Sequence, residues 1–288
     1  MSSLTVSSLS GKKVKQALGK VVIFIIVLIG ALAFVLPFIW MLSSSLKAES
    51  KLFTIPPQWI PSPVKWDNFI KSLTVLPFQV YYRNTAIITV STIIGDVFTA
   101  ALVAYGFARF RFRGRNVLFI LVLSTIMLPP QVTIIPRFIL FRWLKWIDTF
   151  VPIILPAYLG GSAFYIFLLR QFFLTIPREL DDAAKIDGLG PLRIFTMIIL
   201  PMSKPALAII AIFSFLFNWN DFWHPLVFLS SEEHYTVALG LYSLQGHFFS
   251  TVSLLMAAAV MAMLPCLVLF FLAQKYFIQG VVITGVKG

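Results

Sequence analysis

Apolar runs long enough to cross a bilayer alternate along this chain with short polar stretches, and no soluble core requires runs of that length. Between Val21 and Leu46 no charged residue appears, and about 20 consecutive apolar residues suffice for a helical span. Further runs cover roughly Thr85 to Phe107, Val117 to Pro136, Phe150 to Leu169, Pro205 to Asn220 and Thr251 to Ala273. In hydrocarbon the backbone can bond only to itself, so such runs predict helices. The pattern predicts an all-α, polytopic membrane protein with six transmembrane helices, organised as a polar segment 1–20, a six-span domain 21–278 and a tail 279–288. Lys12, Lys13, Lys15 and Lys20 followed by Ala31-Leu32-Ala33 have the layout of a signal peptide. The uncharged stretch is too long for a signal core, and the expectation is an uncleaved first span.

Several features interrupt the apolar pattern inside the spans. Asp96 lies near the middle of the second; an unpaired carboxylate there costs about 2.5 to 3.5 kcal/mol on insertion scales, so it should face protein or water. A carboxyl hydrogen-bonded between helices explains it as well as a role in transport. Pro129-Pro130 breaks the third span and leaves Gln131 at membrane depth, which is tolerated only against protein or a wet cavity. Gly160-Gly161 lets a neighbouring helix come close. The fifth span ends in Asn218-Trp219-Asn220-Asp221. Between spans, 47–83 reads as a proline-rich loop, 137–148 as an interfacial helix carrying Trp143 and Trp146, and 231–250 as a short loop.

Composition supports a membrane chain: 59% of residues are hydrophobic, 12% are charged, and 29 Phe outnumber the 23 Lys and Arg. A net charge of +12 in a soluble protein would raise nucleic acid as a partner. Here the basic residues sit in loops beside spans, so no nucleic-acid role follows. Fifteen of the 23 Lys and Arg fall in the terminal segments and the second-third and fourth-fifth loops, including Arg109, Arg111, Arg113 and Arg115. The positive-inside rule then places both termini and those loops in the cytoplasm. Cys266 is the single cysteine, so no intrachain disulfide forms. His224, His234 and His247 lack metal-ligand spacing. No Gly-x-x-x-x-Gly-Lys-Ser/Thr loop is present, nor a nucleophile with a base. The chain is not read as an enzyme and no cofactor is expected.

A long mixed-charge segment between spans is the loop 170–204. Pro177 opens a helix whose first turns carry Glu179, Asp181 and Asp182 at its positive end. Ala183 and Ala184 offer little side chain, and Gly188 stands where a left-handed residue ends a helix cheaply. Pro191 opens a second helix, with Arg193, Ile194, Met197, Ile198 and Pro201 forming a predominantly apolar face. An ordinary amphipathic connector has the same features.

The spacing Ala183-Ala184, Asp187-Gly188, Phe195, Ile198, Leu200-Pro201 and Pro205 resembles the EAA loop of the membrane subunits of ABC importers. Asp182 stands where that family most often has glutamate, which keeps the charge and shortens the reach. Trp40 with Ser43-Ser44-Ser45-Leu46-Lys47, Pro57 and Trp59, Asn68-Phe69, Asn84-Thr85, Leu169-Arg170-Gln171-Phe172-Phe173, Trp219-Asn220, Pro225-Leu226 and the ending Gly280 to Gly288 are similar to carbohydrate permeases, close to the smaller maltose-type subunit. The resemblance implies a MetI-like permease core in a prokaryotic inner membrane. It also implies a coupling loop in which Asp182, Ala183, Ala184, Asp187, Gly188, Phe195, Leu200 and Pro201 meet an ATPase. The implied partners are a second permease subunit, two ATP-binding subunits, an extracytoplasmic solute-binding protein and a sugar.

Two functional classes stay open on the residues alone. One is a permease subunit driven by a separate ATPase, with Asp96, Gln131, Asn218, Asn220 and Asp221 as translocation-pathway candidates. The other is a self-sufficient ion-coupled carrier using Asp96 and Asp221. A carrier of this size is expected to show inverted halves with paired broken helices, and Pro129-Pro130 has no counterpart after the fourth span.

Overall fold

The computed structural model describes residues 5–247 and 252–285. The tail residues Val286 to Gly288 and the expected span start at Thr251 lie outside the described residues. Those described form helices and connecting turns, with no strand among them. In order these are α1 (Thr5–Ser45), α2 (Asp67–Val75), α3 (Phe78–Arg109), α4 (Arg115–Ser124), α5 (Pro130–Trp143), α6 (Val151–Tyr158), α7 (Ala163–Thr175), α8 (Glu179–Ile186), α9 (Pro191–Ile194), α10 (Leu200–Met202), α11 (Lys204–Trp219), α12 (Trp223–Phe228), α13 (Val237–His247) and α14 (Val252–Gly285).

Four stretches are long and apolar enough to span a membrane: Ala17–Ser45, Phe78–Arg109, Val151–Thr175 and Val252–Gln274. Two more arise if each bent helix pair counts as one span. Arg115–Met127 meets Pro130–Trp143 at 97°, and Pro191–Met202 meets Lys204–Trp219 at 78°. The first bend falls at Pro129-Pro130, where the proline pair removes backbone donors and pushes the preceding residue out of helical geometry.

Residues 1–72 and 248–261 form one compact unit. The apolar window of α1 is exposed. Its end is tied down by side chains from the following loop. Asn68 Nδ2 donates to Ser45 O at 2.8 Å and to Lys47 O at 2.9 Å, while Ser43 Oγ donates to Trp59 O. Lys47 is buried with its ammonium 4.1 Å over the Trp40 ring, and burial pushes its pKa down. The Glu49 carboxylate accepts from Val252 N at 2.8 Å, Ser253 N at 3.0 Å and Ser253 Oγ at 2.7 Å. It therefore caps the positive end of α14 and satisfies donors the helix leaves free.

Residues 73–247 and 262–288 form the second unit, arranged around α3. This helix packs against α6, α7, α11 and α13. Its buried positions include Thr85, Thr89, Thr92, Gly95, Ala100, Ala101, Ala104 and Ala108, small side chains that let other backbones approach. A Cβ at Gly95 would lie 2.8 Å from the Tyr158 ring, and one at Gly240 would collide with the Tyr81 ring. Asn84 Nδ2 donates to Glu233 O at 2.8 Å and Tyr235 O at 3.0 Å, and Thr85 Oγ1 accepts from Val237 N at 2.9 Å.

The connections hold more structure than the hydrophobic pattern suggests. The second span begins at Phe78, seven residues before its apolar run, and α2 stands within the expected proline-rich loop. The expected interfacial helix at 137–148 is instead the second half of α5 followed by a turn, with Lys145 at φ 59° and Asp148 at φ 63°. The stretch 231–250 contains α13, held to α3 by Asn84 and Thr85. The fourth span is broken between α6 and α7, where Gly160 and Gly161 take φ of 129° and 61°. Glycine adopts such angles without Cβ strain. The close approach expected there also occurs: a Cβ at Gly161 would lie 2.8 Å from Thr99 Oγ1.

Candidate functional site: a docking hairpin and a polar cavity

Residues 177–203 form a hairpin whose inner face belongs to the core beneath it. Ala184, Ile194, Phe195 and Ile199 are buried in one cluster with Ala104, Tyr105 and Ala108 of α3, Leu169 and Phe173 of α7, and Ile210 of α11. Polar bonds fasten the same face. Arg109 Nε lies 3.5 Å from Asp181 Oδ2 with the two side chains 3% and 10% exposed. Arg109 Nη2 donates to Ile176 O at 3.0 Å, Arg178 Nη2 to Ala108 O at 3.3 Å, and Tyr105 Oη to Pro191 O at 3.0 Å.

Helix α8 ends in a Schellman arrangement. Leu189 N donates to Ala184 O at 2.9 Å and Gly188 N to Lys185 O at 3.0 Å, with Gly188 at φ 81°. Leu189 packs on the cluster that holds Ala184, the apolar contact that accompanies this cap. The second half departs from the expected face. Ile194 and Phe195 face inward, and a π-turn at Phe195–Ile199 brings Ile199 inward as well, while Met197 is 65% exposed. A single 3.6-residue period cannot describe a helix that contains a π-turn.

Of the candidates assigned to the loop, Asp182, Ala183, Asp187, Gly188 and Pro201 are exposed, Ala184 and Phe195 are buried, and Leu200 is partly buried. The two alanines thus face opposite ways. Asp182 accepts from Lys185 Nζ at 2.8 Å, and this bond holds its carboxyl below the usual range. Around it the outer surface carries Ile186, 88% exposed, and Leu192, 71% exposed.

A second site lies inside the bundle. An open cavity of about 250 Å³ is lined by residues of α3, α5, α6, α7, α11 and α12. At one part of its wall Asp96 Oδ2 accepts from Ser214 Oγ at 2.7 Å, and Asn218 Nδ2 donates to Ser214 O at 2.7 Å. At another, His224 Nδ1 is 2.7 Å from Asp221 Oδ2, while His224 Nε2 is 3.4 Å from Arg137 Nη1. These partners assign His224 a proton on Nδ1, donated to Asp221, and a free Nε2 that accepts from Arg137. Arg137 also donates to Pro152 O at 3.3 Å.

Asp96, Asn218 and Asp221 therefore come together, whereas Gln131 and Asn220 do not line the cavity. Gln131 is exposed at the start of α5, and Asn220 Nδ2 donates to Leu216 O at 2.8 Å beside Cys266 Sγ at 3.8 Å. Arg137, His224, Ser162 and Tyr165 were not anticipated. Arg137 had a readable signal, since it shares a helical stripe with Ile134, Phe138 and Phe141, all packed inward. Among the described residues, no three His, Cys, Asp or Glu stand together as metal ligands would.

A helical chain with bent apolar spans, a capped hairpin and a partly polar internal cavity is compatible with a membrane transport subunit. Residues 96–283 match the family described as "Binding-protein-dependent transport system inner membrane component", and the chain belongs to that family. It is 37% identical over 229 residues to the arabinooligosaccharides transport system permease protein AraQ of Halalkalibacterium halodurans, covering 79% of this chain and 81% of that protein. With the sn-glycerol-3-phosphate transport system permease protein UgpE of Yersinia pestis it shares 32% identity, over 90% of this chain and 94% of the other. A bacterial ABC transporter involved in the import of the acidic polysaccharide alginate superposes with a TM-score of 0.80 at 25% identity, covering 91% and 98% of the two chains. The chain is thus an ABC importer permease, and the ion-coupled carrier finds no support in its family.

Proposed function

We propose that this chain forms half of the translocation pathway of a sugar importer and receives its drive from a separate ATPase through the hairpin at 182–205. In this reading it pairs with a second permease subunit, two ATP-binding subunits and an extracytoplasmic solute-binding protein. Both termini and the hairpin face the cytoplasm, where ATP is available. The sugar class rests on relatives such as the arabinooligosaccharide permease. The coupling role rests on the hairpin itself, whose inner face is locked to α3, α7 and α11 while Asp182, Ala183, Ile186 and Leu192 face out.

The hairpin also runs directly into α11, across the 78° bend at Ser203. A push on the hairpin is therefore delivered to the helix that carries Ser214 and Asn218 into the cavity wall. Alternating access then becomes a two-state equilibrium, biased at one end by nucleotide and at the other by the loaded binding protein.

Gly188→Val tests this assignment. A Cβ at φ 81° costs on the order of 1 kcal/mol, and within this chain that Cβ would meet nothing within 4 Å. The variant should insert at near-normal levels and lose uptake, through a loosened ATPase or hydrolysis that no longer responds to the loaded binding protein. The exposed Ser124→Ala serves as control. Wild-type uptake in the glycine variant would sink the coupling role.

A further inference from the structure

We propose that the cavity of this subunit itself holds one ring of a neutral sugar and disfavours acidic sugars and phosphate esters. This rests on the sugar-importer reading and narrows it. The cavity's size sets the first limit. An open space of about 250 Å³ has room for a single monosaccharide ring on this subunit's side of the pathway.

The lining has the chemistry that hydroxyl-rich rings need. Asp96 spends Oδ2 on Ser214, and its Oδ1 has no partner among the described residues. Ser162 and Tyr165 line the same space, and their hydroxyls also bond to nothing among those residues. The side chain of Phe217, 61% exposed, supplies an apolar face for the ring's C–H edges. Acceptors, hydroxyls and an aromatic face around a confined volume match a polyol rather than an apolar solute.

Charge supplies the selectivity. Arg137 is the one cation among the described residues that line the cavity, and it is linked to the Asp221 carboxylate through His224. That leaves Asp96 as a carboxyl without a cation opposite it. An incoming carboxylate or phosphate finds a guanidinium already engaged and a carboxyl group facing it, whereas a neutral ring loses nothing by either.

The test is equilibrium binding to the purified importer complex in nanodiscs, with the binding protein omitted. The probes are arabinotriose and maltotriose against trigalacturonate and sn-glycerol 3-phosphate. In the wild type a neutral trisaccharide should bind at least tenfold tighter than either anion. Asp96→Asn keeps an acceptor for Ser214 and removes the charge, so it should narrow that ratio about tenfold, a change that general loosening would not produce. Ser162→Ala, a small change at a loop position, should weaken neutral binding several-fold and leave the ratio alone. Anions binding as well as neutral sugars, or an unchanged ratio in Asp96→Asn, overturns the proposal. If the complex imports a neutral sugar while both variants bind like wild type, the importer reading stands and only the cavity assignment falls. If it neither binds nor imports any sugar, both fall together.

Discussion

Asp181 is the residue whose loss should free the hairpin from the spans, although its exposed neighbour Asp182 looks the more functional in sequence. Arg109 and Asp181 are 3% and 10% exposed and 3.5 Å apart. Asp181→Ala leaves a buried guanidinium with one bond, to Ile176 O. Removing one partner of a buried pair costs about 3 to 5 kcal/mol, mostly through the charge left behind. At about 1.4 kcal/mol per factor of ten, the population in which the hairpin has lifted off α3 rises by roughly two orders of magnitude or more. Hydrogen exchange of the full chain in nanodiscs reads this directly. The amides of Gly188 and Leu189, bonded to Lys185 O and Ala184 O, should lose about two decades of protection. Asp182→Ala removes an exposed pair with Lys185, 61% and 68% exposed for Lys185 and Asp182, and should leave these amides near wild type. Equal exchange in wild type and Asp181→Ala, or a larger loss in Asp182→Ala, would refute the reasoning.

Two further outcomes are expected. In a Cys266→Ser background, Arg113→Cys should be shielded from an impermeant thiol reagent in intact cells and Glu233→Cys should react; labelling of the Arg113 position from outside reverses the orientation. Burial raises the Asp148 carboxyl, but bonds from Ser231 Oγ, Ser231 N, Ser230 N and His234 outweigh it and hold the pKa well below the ordinary range. A depressed carboxyl stabilises above its unfolded pKa, and that stability is lost as pH falls through its folded value. Acidification from pH 7 to pH 5 should therefore leave this contact between the α5–α6 turn and the Ser230-Ser231 turn intact. Asp148→Asn should open it at pH 7, seen as faster exchange at Ser230 and Ser231.

The hydrophobic pattern located the four long apolar spans because span length is a property of the bilayer, not of packing. It located the break at Pro129-Pro130 because proline acts locally. The break at Gly160-Gly161 was read only as a close approach, since the need for positive φ arises from α3 lying against that turn. Gly188 was legible as a cap because a Schellman turn is made within a few residues. The inward turn of Ile199 was not, because a π-turn leaves no compositional trace. Asp181 looks like a surface charge until its partner Arg109 arrives from about 70 positions away, whereas Arg137 was legible from its apolar stripe although its partner His224 is distant. The permease-like residues Asn68, Asn84, Thr85 and Trp219 prove to tie backbone together. They bond to Ser45 O, Glu233 O, Val237 N and Ala262 O respectively, so their presence speaks to architecture, not to the transported solute.

The cap that Glu49 places on α14 ties the timing of synthesis to the geometry of the finished chain. Glu49 leaves the ribosome 203 residues before the Val252 amide it will bind. At roughly 5 to 20 residues per second this is a wait of about 10 to 40 s. Throughout that interval the carboxylate has no helix end to neutralise, and the first span's loop is held only by bonds such as that from Asn68. A chain that stalls before the Val252 amide is made therefore presents Glu49 without the helix end it caps.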